Sequence, residues 1–201
     1  MGVILEGNFI NLTDSSDSLE RNQKEEEYIN YIKTHVENVK LAYNEYFIPL
    51  IDQELDLKSC SNEEFQLALK QATANIVLHD ESKYSNEEFT PYRIRFYPTV
   101  KETLALKDAD IAKQQEENFL EAWKHHYTNN PHHPKYWVNE ETGEIRDMEL
   151  RYIIEMLCDW LSFGDDIRVW YSKSAEREKN SMSIRTREIV EELMEIIYEN
   201  K

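Results

Sequence analysis

Residues 61–80 read SNEEFQLALKQATANIVLHD. Ser61 with Glu64 three positions on is a capping box, the pattern in which a serine and a glutamate satisfy each other's free backbone N–H groups at a helix start. Behind it Phe65, Leu69, Ala72 and Ile76 recur at steps of three and four, the stripe of an amphipathic helix, and His79 continues that stripe. Asp80 follows at once. A helix turns about 100° per residue, so His79 and Asp80 are both expected to lean toward one point beside a bundle axis. Ser85-Asn-Glu-Glu88 repeats the capping pattern, which ends this helix soon after Asp80 and opens a short new turn.

The same periodicity extends in both directions. Ile32, Val36, Val39, Tyr43, Phe47 and Leu50 predict a helix over about 24–51, with His35 on its buried side. Residues 1–23 read as an N-terminal arm: a short apolar start (Val3, Ile4, Leu5, Phe9, Ile10), then the polar run Thr13–Ser18. Downstream, Thr90–Pro98 (TPYRIRFYP) is bounded by proline and rich in aromatics, and fits either an extended segment or a structured loop. A third long helix is expected over about 108–128, through Ile111, Phe119, Ala122 and His126. Pro131 and Pro134 then leave 129–137 as an irregular loop. Met148, Tyr152, Met156, Asp159 and Phe163 place a fourth helix over about 146–163, with Gly164 as its stop. A last helix is expected over about 180–199, with Ile189, Leu193, Ile196 and Ile197 inward and a solvated glutamate face. The reading is an all-α bundle, one domain over 24–201.

Charge narrows the function. Twenty-three basic against 40 acidic residues give a net charge of -17, which opposes broad binding to nucleic-acid phosphates or to an anionic membrane but leaves room for a small phosphorylated substrate in a local pocket. Hydrophobic residues at 40% are too many for a disordered acidic chain. No apolar run reaches the roughly 18 residues of a membrane span. Met1–Glu6 lacks the features of a secretory signal, and Glu6 stands where a myristoylation motif wants Ser or Thr. Cys60 and Cys158 form no disulfide framework, so a reducing, cytoplasmic setting is expected.

The six histidines fall in four places: His35, His79, His125-His126 and His132-His133. On the fourth helix Asp159 and, one turn earlier, Glu155 are the acidic residues on the inward stripe. Buried charge is costly unless it is paired or holds a metal. Imidazole and carboxylate together are the ligand set of Zn, Fe, Mn, Co or Ni, and helix bundles assemble such sites from facing helices.

The order His35, then His79-Asp80, then Asp159 resembles the H…HD…D pattern of the HD superfamily of metal-dependent phosphohydrolases, and His79-Asp-Glu-Ser-Lys83 resembles its HDxxK form. Glu88-Phe, Ala122-Trp-Lys-His-His-Tyr127, Asn130-Pro-His-His-Pro-Lys-Tyr-Trp137 and Met156-Leu-Cys-Asp-Trp160 are similar to a narrower, uncharacterised family of HD-like proteins of bacteria and their phages, over about residues 28–197. The resemblance implies an HD-domain-like helical bundle. His35, His79, Asp80 and Asp159 would hold a first divalent transition metal, and Asp80 could bridge to a second. His126, or His125, would take the place of extra ligands in binuclear members. Lys83 would contact a substrate phosphate; its other reading is a charge favoured by a helix C-terminus. The GYP-type sequence of cyclic-dinucleotide phosphodiesterases is absent, and Lys83 stands where the nucleotidase branch tends to have Glu, so neither substrate carries over.

The chemistry expected of such a site is metal-assisted hydrolysis, with Asp80 and Lys83 as catalytic candidates. Lys83, Arg93, Arg95 and Lys135 are candidates to neutralise a phosphate. His125, His132 and His133 are candidates on the substrate side, and the last two equally suit hydrogen bonds within a rigid loop. Tyr92, Tyr136 and Trp137 fit either stacking on a base or lid packing. Glu155 reads as a ligand's partner or a surface charge. Three functions stay open: a phosphohydrolase acting on a nucleotide or other small phosphate ester; a non-catalytic acidic binding protein, such as a phage-encoded inhibitor meeting a basic protein partner; and a structural metal staple. The Pro-rich aromatic loops suit a substrate lid or a homodimer contact. The histidine cluster favours the enzyme, because a charge mimic needs no histidines.

Overall fold

Two apolar clusters meet along one long helix, and the seam between them organises the molecule. The structure, a computed structural model, describes residues 12–164, 166–169, 171–172 and 179–199. The apolar start at Val3–Ile10 lies outside them. Helix α1 spans Leu12–Ala42 and continues through a π-helical turn at Tyr43–Phe47 and a 3-10 turn at Ile48–Leu50. Then come α2 (Asn62–Val77), a 3-10 turn (Glu81–Tyr84), α3 (Phe89–Phe96), α4 (Val100–Ala105) and α5 (Ala109–Asn129). A 3-10 turn (Pro134–Trp137), α6 (Leu150–Ser162), a 3-10 turn (Lys179–Ser181) and α7 (Ile184–Glu199) complete the order. Among the described residues there is no strand, only an isolated bridge between Val138 and Ile145. The fold is all-α, and no described helix is long and apolar enough to cross a membrane.

Helix α6 is the axis. It packs on α2 and α1 and buries nearly its whole surface, including Ile153, Ile154, Leu157 and Trp160. The larger core joins it to Val39, Phe47, Phe65, Leu69 and Ile76 and to Ile189, Val190 and Leu193 of α7. Each fully buried aliphatic side chain contributes about 1.5–3 kcal/mol. The smaller core holds Tyr28, Ile32, Tyr92 and Ala122, with Phe89, Phe119 and Trp123 against it. On α1, Ile32 belongs to the small core and Val39 to the large one, and His35 falls between them.

The local readings hold where they rest on periodicity and differ where partners are remote. The Ser61–Glu64 capping box opens α2: Glu64 N–H donates to Ser61 Oγ (3.2 Å) and Ser61 N–H to Glu64 Oε2 (3.1 Å). Helix α1 begins at Leu12 rather than near residue 24, so residues 12–23 of the expected arm are helical. TPYRIRFYP is neither extended nor a loop: most of it is α3, with Pro91 inside the first turn, where its missing N–H costs nothing. Ser85–Glu88 is not a capping box. Ser85 Oγ is buried without a partner, and the Glu88 carboxylate turns to two histidines of α5 instead. Gly164 closes α6 in the left-handed region (φ +73°), where a side chain would strain the backbone.

Candidate metal centre

Asp80 stands at the centre. Helix α2 ends at Val77, and Asp80 adopts the left-handed conformation (φ 59°, ψ 20°) that non-glycine residues rarely take. That turn, not continued helical rotation, brings His79 and Asp80 to one point. Strain of this kind persists where surrounding contacts hold it, and it clusters at functional sites.

On one side, Asp80 Oδ2 faces His35 and His79, and Asp159 Oδ1 faces the same two imidazoles. His35 Nε2 lies 3.1 Å from Asp159 Oδ1, 3.4 Å from His79 Nε2 and 3.5 Å from Asp80 Oδ2. His79 Nε2 is 3.6 Å from both carboxylates. Ligand atoms about 2.05 Å from a tetrahedral ion are separated by about 3.4 Å, so these spacings fit one. On the other side, Asp80 Oδ1 faces His126 Nε2 (3.3 Å) and His132 Nε2 (3.7 Å), and His133 completes that group. Asp80 Oδ1, His132 Nε2 and His133 Nε2 are buried and have no hydrogen-bond partner. Buried polar atoms are seldom left so, and a cation would satisfy the carboxylate oxygen and the imidazole nitrogens together.

The outer nitrogens explain why Nε2 points inward. His79 Nδ1 and His132 Nδ1 lie 2.9 and 3.1 Å from Glu155 Oε1; His126 Nδ1 lies 2.8 Å from Glu88 Oε2. A carboxylate only accepts, so each of these nitrogens carries the proton. His35 Nδ1 is 3.2 Å from Ser162 Oγ, whose own proton is committed to the Asp159 carbonyl (2.6 Å), so His35 donates too. Metal-bound histidines are held in this way, with the far nitrogen on an oxygen that fixes ring orientation and tautomer.

The electrostatics agree. Asp80, Asp159, Glu155 and Glu88 are four largely buried carboxylates facing one largely buried lysine, Lys83, whose Nζ lies 2.6 Å from Asp80 Oδ2. Three negative charges remain to be balanced by divalent cations or protonated imidazoles. Without a metal, burial opposes charging of His79, but Asp80, Asp159 and Glu155 overcome it and push its pKa up to about 10. Burial opposes charging of His35 and His126 too, but Asp159 and Asp80 raise the first and Asp80 and Glu88 raise the second. Burial works the other way on Asp80, yet Lys83 and the histidines hold it well below the usual carboxylate range. Burial opposes the Glu155 charge as well, and His132 and His79 hold it down to about 2. Burial and the neighbouring His132 and His126 keep His133 neutral.

The sequence pattern of the family of unknown function DUF5662 matches residues 24–199. The chain belongs to that family. No curated protein and no solved structure matches it. In this DUF5662 chain the cavity beside the histidines measures about 200 Å³ and is lined by Lys83, Tyr92, Trp123, Trp160 and Phe163 together with His35, Asp80, His126, His132, His133 and Asp159. A larger, more open groove of about 300 Å³, near Cys60, Glu64 and Arg185, contains none of the histidines.

Of the expected site residues, His35, His79, Asp80, Lys83, His126, His132, His133 and Asp159 converge. Four do not. Arg93 is buried in a bidentate pair with Glu102 (2.5 and 2.6 Å), so its charge is spent between α3 and α4. Arg95 pairs with Glu116 (2.7 Å) and lies over the Phe119 ring, outside the cavity. Lys135 is exposed over Tyr127. His125 turns to Glu88 Oε1 (2.7 Å) and does not line the cavity. Trp137 is buried and donates its indole N–H to the Pro131 carbonyl (2.8 Å), so it packs the loop instead of stacking on a base. Glu88 is the residue that sequence reasoning missed, because its spacing from Ser85 imitates a capping box.

Proposed function

We propose that this chain is an HD-type metal-dependent phosphohydrolase with a two-ion site, acting on a nucleotide or another small phosphate ester. One observation carries the reading: four imidazoles, from α1, the α2 terminus, α5 and the loop after it, each fix Nδ1 on an oxygen and turn Nε2 toward the two oxygens of Asp80 or toward Asp159. A bound divalent ion supplies Lewis acidity and a water acidified toward neutral pH. His35, His79, Asp80 and Asp159 would hold one ion; Asp80, His126, His132 and His133 the other.

The chain's own residues do the rest. Asp80 stays ionised at every physiological pH and offers one oxygen to each group. Lys83 is a charged, four-carbon arm at the cavity wall. Burial opposes its charge, but Asp80 outweighs that and raises its pKa, so it presents a cation to a phosphoryl oxygen. Tyr92, Trp123, Trp160 and Phe163 form an aromatic wall that shields the reacting atoms from bulk water and accepts a flat or apolar leaving group. The volume is below the roughly 300–1,000 Å³ of drug-sized sites and supports a compact ester.

Elemental mass spectrometry of untagged wild type and Asp80→Ala tests this. One or two equivalents of transition metal in wild type, lost in the variant, are expected, together with hydrolysis of phosphate esters by wild type alone. A wild type that stays metal-free after Mn, Fe, Co, Ni and Zn are offered refutes the reading.

A further inference from the structure

Glu155 belongs to neither of the two groups assigned an ion above, yet it clusters with one histidine of each, His79 and His132. Its Oε1 accepts from His79 Nδ1 (2.9 Å) and from His132 Nδ1 (3.1 Å), and the two rings lie 4.4 Å apart at 38°. Their Nε2 atoms then face opposite oxygens of one carboxylate, His79 toward Asp80 Oδ2 and His132 toward Asp80 Oδ1. Glu155, His79, Asp80 and His132 close a ring of four side chains. Helix α6 supplies Glu155 one turn before Asp159, so the rigid central helix of the fold sets the ring's position.

We propose that Glu155 is a positioning residue shared by the two ion sites, and that through it the sites load as a coupled pair. The proposal rests on the metal reading above. An ion that takes His79 Nε2 tightens the His79–Glu155 hydrogen bond and fixes the oxygen on which His132 depends. His132 is then already oriented when a second ion arrives, and part of the ordering cost of that second site has been met. Glu88 provides the contrast. It also accepts from two imidazoles, but of these only His126 faces Asp80, while His125 points away.

Cobalt(II) titration of chelator-treated protein, followed by visible absorption and calorimetry, separates the possibilities. Wild type is expected to bind two equivalents with positive cooperativity. Glu155→Ala is expected to weaken both binding events by about 10–100-fold and to abolish the cooperativity. Glu155→Gln, which keeps an acceptor oxygen, falls between the two, and Glu88→Ala weakens one event only. Loss of a single event in Glu155→Ala, or unchanged affinity, overturns the coupling. Failure of wild type to bind cobalt overturns the metal reading itself, a distinct result. Should the variants not fold by circular dichroism, proton NMR of zinc-loaded wild type still decides. Slowly exchanging Nδ1 protons on both His79 and His132 are expected, and a proton on only one of them defeats the proposal.

Discussion

Lys83 concentrates the chemistry of the site in one side chain. Its ammonium lies 2.6 Å from the oxygen that Asp80 turns toward His35 and His79, so it neutralises that oxygen and competes with a cation for it. A structural lysine and a phosphate-binding lysine differ in what their removal does. Lys83→Met keeps the length and loses the charge, so metal should bind at least as tightly as in wild type while kcat/KM for a phosphate ester falls by roughly 10²-fold, the scale for losing one donor to transition-state charge. Calorimetric metal titration beside steady-state kinetics checks this. A parallel fall in metal affinity would make Lys83 a structural support instead. The HDxxK spacing makes Lys83 conspicuous, and the structure keeps both features of its two readings: Lys83 stands in the last turn of a 3-10 helix and pairs with the Asp80 carboxylate beside the cavity.

At the scale of elements, the helices follow from apolar periodicity and most of the missed detail from remote partners. Phe65, Leu69, Ala72 and Ile76 are buried as their spacing requires, and so are His35 and His126 on their helices, whereas His79 is buried beyond the end of α2. Positions 85–102 were less legible because their hydrogen bonds close across the chain. Glu88 leaves Ser85 for α5, and Arg93 finds Glu102 nine residues away, past Tyr97-Pro98. His132 and His133 sit between prolines with no repeat to orient them, so their place beside Asp80 could not be read from pattern. The Arg93–Glu102 pair also joins α3 to the capping box of α4, where Thr99 N–H donates to Glu102 (2.8 Å). The Arg93 hydrogen bond lowers the Glu102 pKa from 4.5 to about 2, so its stabilisation is complete above about pH 4.5 and is lost as pH falls toward 2. Glu102 is partly exposed and its contribution screened, which keeps the effect modest. Urea midpoints of wild type and Glu102→Gln should differ by a constant amount at pH 6–8 and converge as pH falls from 4.5 toward 2.5. A gap that stays unchanged at low pH would show that charge is not what joins the two helices.

Across the whole molecule, the residues proposed to hold metal come from α1, the α2 terminus, α5, the loop after it and α6, which together carry much of both apolar cores. A cation held there ties the two cores at their seam, in a chain whose net charge of -17 favours cation uptake. Ligand bound only by the folded state stabilises it by about 2.7 kcal/mol at a hundredfold excess over Kd, which for a chain of this size raises Tm by roughly 5–10 °C. The sign of the pH dependence follows from the histidines. In the metal-free protein His79, raised to about 10, contributes stability that is full below its unfolded value near 6.5 and is lost as pH climbs toward 10. Metal must displace those protons, so its apparent affinity rises over the same range. These are two views of one proton linkage, and it widens the difference between the metal-loaded and chelator-treated proteins as pH increases. Differential scanning calorimetry at pH 6, 7.5 and 9 should therefore show a gap in Tm that grows with pH, and calorimetric metal titrations in buffers of different ionisation enthalpy should report proton release. A gap that is constant or shrinks from pH 6 to 9 would mean that the imidazoles around Asp80 are not the groups that metal engages.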